Sequence, residues 1–419
     1  MQLYKGDPTH IHYCMNRINK ISIVTLLLFA TLIFNAYGQG EVVKQFNPVN
    51  SGATSLTIAP DARGAGMGDI GAATDPDVNS QFWNASKYAF AYSDAGIGLS
   101  YTPWLSKLVN DIYLANLSGY WKFGEGSPQA LSASLRYFSL GSIILTNQNG
   151  DEVNSINPFE MAFDLGYSRK LSESFAMGVV LRYIYSDLGF QYDESGSATG
   201  SVKGASAFGA DISWYYTCYP IIARNECQWT WGMNISNIGS KLAYDNGNEP
   251  AFLPTNLKIG TTFLFPIADK NTMSISFDAN KLLVPSMPQE YQFRNADGTT
   301  DFDAYNAARE EYYNMSPFEG IARSFYDAPG GFEEELREIN FSVGIEYSYN
   351  RQFSLRAGYY YEDEYKGNRQ FFSFGASFAY SVLQIDAAYL LATAASSPLD
   401  QTLRFTLAFD LEGIKNLIH

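Results

Sequence analysis

Residues 402–409 read Thr402-Leu403-Arg404-Phe405-Thr406-Leu407-Ala408-Phe409, an alternation of large apolar side chains with small, polar or charged ones. A period of two places the two sets on opposite faces of an extended strand. From about residue 96 onward the chain repeats this unit of some ten residues followed by a break. The unit predicts strands at 96–103, 112–123, 129–138, 160–170, 175–186, 205–217, 228–236, 256–265, 272–282, 340–349, 353–361, 371–380, 382–390 and 402–410. Fourteen is an even number, as closure of an antiparallel barrel with both ends on one side requires.

Soluble sandwiches alternate in the same way, so loop lengths carry the distinction. Connections after strands 2, 4, 8, 10 and 12 are tight, for example Leu171 to Ser174 and Asn350 to Gln352, whereas those after strands 3, 5, 7 and 9 are long. Sorting by parity is a property of membrane barrels, with short turns at one rim and long loops at the other. The abundance of aromatics, 30 Tyr and 29 Phe, suits a barrel girdled at two membrane interfaces. The predicted class is therefore all-β, a 14-stranded antiparallel transmembrane barrel over residues 96–410, with a tail at 411–419.

Residues 16–38 hold Arg17 and Lys20, an apolar run from Ile21 to Phe34, and Ala36-Tyr37-Gly38 before Gln39. This reads as a cleaved secretory signal, making 1–38 a leader. Loss of its three basic residues and one acidic residue takes the net charge from −15 to −17, which argues against nucleic acid as a partner. Of the histidines, His10 and His12 fall in the leader and His419 is terminal, so the body lacks the general base of a lipase or protease, and it lacks a Gly-x-Ser-x-Gly elbow too. No catalytic or metal site is expected. Cys218 and Cys227 bracket a turn, where their spacing suits either a disulfide or two thiols.

Residues 39–95 are rich in Gly, Ala, Asp and Asn and are read as a compact segment threaded into or beneath the barrel. The Gly64 to Gly68 run lacks a P-loop lysine and the strand-to-helix setting of a dinucleotide site. Assigning the apolar set of each strand to lipid puts ten charges inside. They form five neighbouring pairs of opposite sign: Arg136 with Asp164, Arg182 with Asp211, Lys258 with Asp278, Glu346 with Arg356, and Asp386 with Arg404. A charge on the lipid face costs about 2–4 kcal/mol at mid-bilayer, so burial in the lumen is expected, and pairing there stabilises a plugged barrel or holds a gated one.

The connection at 284–337 exceeds what closure needs. Within 284–335 lie eleven acidic residues, three Arg, and ten Phe or Tyr, among them Tyr291, Phe293, Phe302, Tyr305, Tyr312, Tyr313, Phe318, Phe325, Tyr326 and Phe332. Aromatic anchors in a charged rim suit protein docking. The alternatives are a loop folded over its own barrel mouth and, more weakly, calcium binding, for which no EF-hand spacing is present.

The stretch Ile58 to Asp77, the following Phe82-Trp83-Asn84-Ala85-Ser86, and Leu253 to Gly260 resemble the hatch and eighth strand of the FadL-like barrel family. Nearly all of residues 40–410 is similar, more narrowly, to the FadL-like subunits of the type IX protein secretion system. The FadL hatch box is Asn-Pro-Ala; here Asn84, Ala85 and Ser86 stand in its place. The resemblance implies a non-enzymatic outer-membrane protein that associates with an SprA-type translocon barrel, collects cargo by its C-terminal signal domain and passes it to a PorU-type sortase at the cell surface. It implies no cofactor, with room for a lipid or detergent in the lumen. A channel for hydrophobic small molecules is the competing expectation.

Overall fold

The computed structural model describes residues 45–104, 111–123, 128–146, 152–188, 191–192, 198–200, 204–244, 249–295, 297–393 and 400–418; the leader reading lies outside them. Fourteen strands form one closed antiparallel barrel. In chain order they are β1 (Ala95–Pro103), β2 (Ile112–Lys122), β3 (Gln129–Leu140), β4 (Phe159–Ser172), β5 (Phe175–Asp187), β6 (Ala205–Cys218), β7 (Gln228–Gly239), β8 (Asn256–Ala268), β9 (Asn271–Leu282), β10 (Ile339–Tyr349), β11 (Phe353–Tyr361), β12 (Phe371–Tyr380), β13 (Leu383–Ala392) and β14 (Leu403–Asp410). Closure is made by β1 on β14, from Gly96 opposite Asp410 to Tyr101 opposite Phe405. Closing the sheet leaves no unpaired edge, which is what allows strands to cross hydrocarbon.

The period-two pattern sorts as expected. Leu403, Phe405, Leu407 and Phe409 face outward, while Thr402, Arg404 and Thr406 are buried in the lumen. Near the long-loop rim, Tyr101, Tyr113, Tyr137, Phe159 and Tyr185 form a chain of ring contacts 5.5–6.1 Å apart across β1 to β5. Amphipathic rings at that height match a membrane interface. Among the described residues no helix is long and apolar enough to cross a membrane.

The short turns follow from local chemistry. Asn350 and Arg351 both adopt positive φ, 52° and 55°, as the central residues of the turn that Gln352 N–H closes on Tyr349 O at 2.9 Å between β10 and β11, a turn whose twist matches the strands. Cys218 and Cys227 form no disulfide; both are buried as thiols. The register explains it, because Cys218 lies opposite Trp229, which places Cys227 beyond the ladder, where its N–H bonds the Pro220 carbonyl.

Residues 53–91 lie inside the barrel. They contain helix α1 (Ala62–Ala65), helix α2 (Ser80–Trp83) and 3-10 turns at Thr54–Thr57 and Ala85–Phe90. The segment enters at the long-loop rim, where Gly52 N–H bonds Phe252 O at 2.8 Å, and leaves at the other, where Asp94 N–H bonds Glu412 Oε2 at 2.7 Å. Between β9 and β10 the long connection folds into a 3-10 turn (Glu290–Phe293) and helices α3 (Phe302–Asn314), α4 (Pro317–Arg323) and α5 (Phe332–Arg337). A short helix α6 (Leu411–Ile418) ends the chain.

Candidate functional site: the plugged lumen and its cap

Asp61 starts the plug's geometry. It caps α1 by accepting from Gly64 N–H at 2.8 Å, and its other oxygen accepts from Trp83 Nε1 at 2.6 Å, tying α1 to α2. Asn84 ends α2 and is fully employed. Its amide NH2 donates to Ala72 O at 2.8 Å and Trp214 O at 2.9 Å, while its oxygen accepts from Ser86 N–H at 3.2 Å. Ser86 N–H also meets Ser213 Oγ at 3.2 Å, and Ala85 packs with Tyr88, Ala130 and Val180. The Asn84-Ala85-Ser86 box thus fastens the plug to β6.

The wall accommodates this plug by lacking side chains where it touches. Gly344, Gly358 and Gly375 on β10 to β12 form a smooth track for residues 66–68, and Gly232 and Gly260, opposite one another on β7 and β8, receive Ala72. A Cβ on Gly358 would land on Met67 C and Gly68 N, and one on Gly232 on Ala72 O. Inward glycines within strands were a readable signal of close backbone approach; the sequence reading did not use it.

All ten expected lumenal charges are inside, but the pairing differs. Arg182 bonds Asp211 and Arg356 bonds Glu346, as the pairing rule has it. Three pairs are corrected. Asp164 faces Arg182 in the register, and Arg182 forks across both Asp164 at 2.7 Å and Asp211 at 3.0 Å, so Asp164 is not Arg136's partner. Arg136 instead donates to plug carbonyls of Ser55 and Ile58 at 2.6 and 3.0 Å. Asp386 is taken by Arg356 at 2.8 Å, reaching past Gly375, which has no side chain to block it. Arg404 therefore turns to Ala59 O at 2.9 Å and Asp69 at 3.3 Å in the plug. Lys258 lies 4.3 Å over the Trp83 ring, and Asp278 accepts from Gly71 and Ala72 N–H at 2.9 and 3.0 Å. Arg63 of the plug adds a bridge from Asp77 at 2.9 Å to Glu346 at 3.2 Å. The wall charges are wired to the plug as much as to each other.

A cleft lies between the plug and the inner wall of β7 to β11, and within it the centre of a water-sized sphere can range over about 70 Å³. Its lining includes Asp69, Arg182, Asn234, Lys258, Asn280, Asn340 and Arg369. That volume is room for several waters.

Above it sits the cap. Tyr312 packs with Phe252, Val284 and Met315 in a cluster that Val49 and Met287 flank. Lys241 Nζ donates to the carbonyls of Tyr312 and Tyr313 at 3.2 and 3.0 Å, at the C-terminal end of α3, where a cation is favoured. Lys281, at the end of β9, and Lys366, in the loop after β11, share the acids of α5 and the residue after it: Glu335 and Glu338 for Lys281, Glu334 and Glu338 for Lys366. Asn47, just ahead of the plug, donates to Glu334 at 3.1 Å. These pairs escaped the sequence reading because the lysines and acids lie 28 to 57 residues apart, on different elements of the chain.

The eight aromatics expected to bind a partner divide. Tyr312 is buried; Tyr291, Phe293, Tyr305 and Tyr313 are half-buried within the cap; Phe318, Phe325 and Tyr326 are exposed, Phe318 and Tyr326 at 75% and 72%. Phe302 and Phe332 join the exposed set. The loop folds over the mouth with one part and shows aromatic rings with the other.

Asp327 fastens the loop by accepting from Ser286 N–H at 2.9 Å, and burial raises its pKa to about 6. A raised carboxyl binds its proton more tightly in the closed loop than in the open one. That stabilisation is complete below the ordinary value near 3.8 and is lost as pH rises through about 6. Hydrogen exchange of the amides around Ser286 and Asp327 is expected to be slower, after correction for intrinsic rates, at pH 5 than at pH 7.5; Asp327→Asn should abolish the difference.

The family model of type IX secretion system protein PorV matches residues 42–290, which span the plug and β1 to β9. The chain belongs to the PorV family. It is accordingly an outer-membrane component of the type IX secretion machinery. Among proteins of curated function none matches its sequence. Among solved structures, the toluene transporter TodX of Pseudomonas putida is similar at 10% identity and TM-score 0.47, covering 88% of this chain and 100% of that one. The toluene transporter TbuX of Ralstonia pickettii gives 11% and 0.45, covering 83% and 97%. The monoaromatic hydrocarbon channel CymD gives 14% and 0.45, covering 84% and 95%.

Proposed function

We propose that this PorV-family barrel works as a docking platform: its cap faces the cell exterior, engages an SprA-type translocon barrel and the C-terminal signal domain of emerging cargo, and hands that cargo to a PorU-type sortase complex. One observation carries the reading. The cap is pinned to the rim by Lys241, Lys281 and Lys366, yet holds Phe318, Phe325 and Tyr326 out to solvent beside the acids of α3 to α5. Rings held in place by a fixed scaffold lose little entropy on binding, which is what makes aromatic anchors effective. Long loops on the outside agree with the parity of outer-membrane barrels.

The competing reading, a channel for hydrophobic small molecules, finds little support in the lumen. The cleft beside the plug mixes apolar side chains such as Phe82, Trp83 and Leu282 with the charged and amide groups of Asp69, Lys258, Asn280 and Arg369, and that polar half is a poor solvent for a hydrocarbon.

The test is affinity purification of the full chain carrying Phe318→Ser, Phe325→Ser and Tyr326→Ser together, from native outer membranes. Recovery of translocon and cargo is expected to fall about tenfold or more, with the barrel still heat-modifiable on gels. Undiminished recovery assigns docking to another surface.

A further inference from the structure

Four lumenal side chains stand directly opposite one another on four consecutive strands: Asn234 of β7 faces Lys258 of β8, Lys258 faces Asn280 of β9, and Asn280 faces Asn340 of β10. All four are nine-tenths or more buried and line the cleft beside the plug. Buried atoms without a partner occur elsewhere in the lumen, on Ser168 and Ser342 for example, but three fall together in this row. The side-chain oxygens of Asn234, Asn280 and Asn340 accept no hydrogen bond. Lys258 has no carboxylate within 4.0 Å among the described residues; its ammonium rests on Trp83. An orphaned buried acceptor costs about 1–3 kcal/mol, and the packing of the plug leaves three of them in one row.

We propose that this row binds a small neutral polyhydroxylated ligand, one sugar ring, between the plug and the β7 to β10 wall. The chemistry of the row selects it. A hydroxyl donates to an amide oxygen and accepts from an ammonium at once, whereas an anion would meet three oxygens turned towards it. Size agrees, since the cleft has room for several waters in place of which one sugar ring could lie. Trp83, Phe82 and Tyr360 supply apolar edges for the ring's carbon face. Asp69 and Arg369 close the far side, each already paired, to Arg404 and Glu362 respectively.

Isothermal titration of the full chain in detergent with glucose, galactose, mannose and N-acetylglucosamine, followed in parallel by tryptophan emission, tests this. At least one sugar should bind saturably, and Asn234→Leu or Asn280→Leu should each weaken it about three- to tenfold, while the outward-facing Met233→Leu changes nothing. Saturable binding that ignores both Asn substitutions overturns the assignment. So does binding of acetate or phosphate with none of sugar, or no saturable signal for any sugar from a heat-modifiable barrel, which leaves the row to ordered water.

Discussion

Replacing Arg182 with Met is expected to lower the stability of the folded barrel by about 3–5 kcal/mol, the usual cost of removing one partner from a buried ion network. Arg182 lies between Asp164 and Asp211 and also donates to Asn237 Oδ1, so the substitution strands two carboxylates in the lumen. Asn237 is itself unusual. It sits at the register shift between β6 and β7, at φ 60°, with its N–H on Asp211 Oδ1 at 2.8 Å and its amide on Pro254 O at 2.9 Å. Loss of the cation therefore reaches the bulge and the loop entering β8. Urea unfolding of protein folded into lipid vesicles measures the effect. Adding Asp164→Asn and Asp211→Asn to Arg182→Met should recover most of the loss, because no unpaired charge then remains. A change within about 1 kcal/mol for the single variant would show that the network does not hold the wall.

Gly358→Val is expected to displace the plug without unfolding the barrel. The new side chain would occupy the place of Met67 C and Gly68 N, and the wall, hydrogen-bonded along both neighbouring strands, is the stiffer partner. The plug there is held by fewer bonds, among them Gly68 N–H to Ser373 Oγ at 2.8 Å. In planar lipid bilayers the variant should conduct ions where the parent chain is silent. Ala357→Val, one residue away and facing outward, is the control and should stay closed. A silent Gly358→Val with a native unfolding midpoint would place the seal elsewhere.

The two experiments separate plug from wall, and that division marks how far the sequence could be read. All fourteen strands are legible because their signal is local: alternation tells each residue which face it takes, whatever its neighbours do. The lumenal position of Arg136, Lys258 and Arg404 follows from the same rule. Their partners do not, because each had a choice between the next strand and the plug, and the plug's path depends on Gly344, Gly358 and Gly375 leaving room for it. The spacing of Cys218 and Cys227 left disulfide and thiols both open for a related reason, since sequence spacing does not fix the register across a turn. The aromatic loop was recognisable as a surface of consequence, but its division into a buried anchor, Tyr312, and exposed rings such as Phe318 depends on packing against Phe252 from another part of the chain.

By itself, then, the sequence determined a closed fourteen-stranded barrel, its lipid face, its rim of long loops and the family it resembles, because period, turn chemistry and loop parity are properties of neighbouring residues. Tertiary structure alone decided which charges meet, how the plug seals the lumen, which row of amides is left unpaired and which aromatics the cap presents. Those depend on groups brought together from as many as 345 residues apart, as Arg404 is brought to Ala59, and no local pattern encodes such a choice among competing partners.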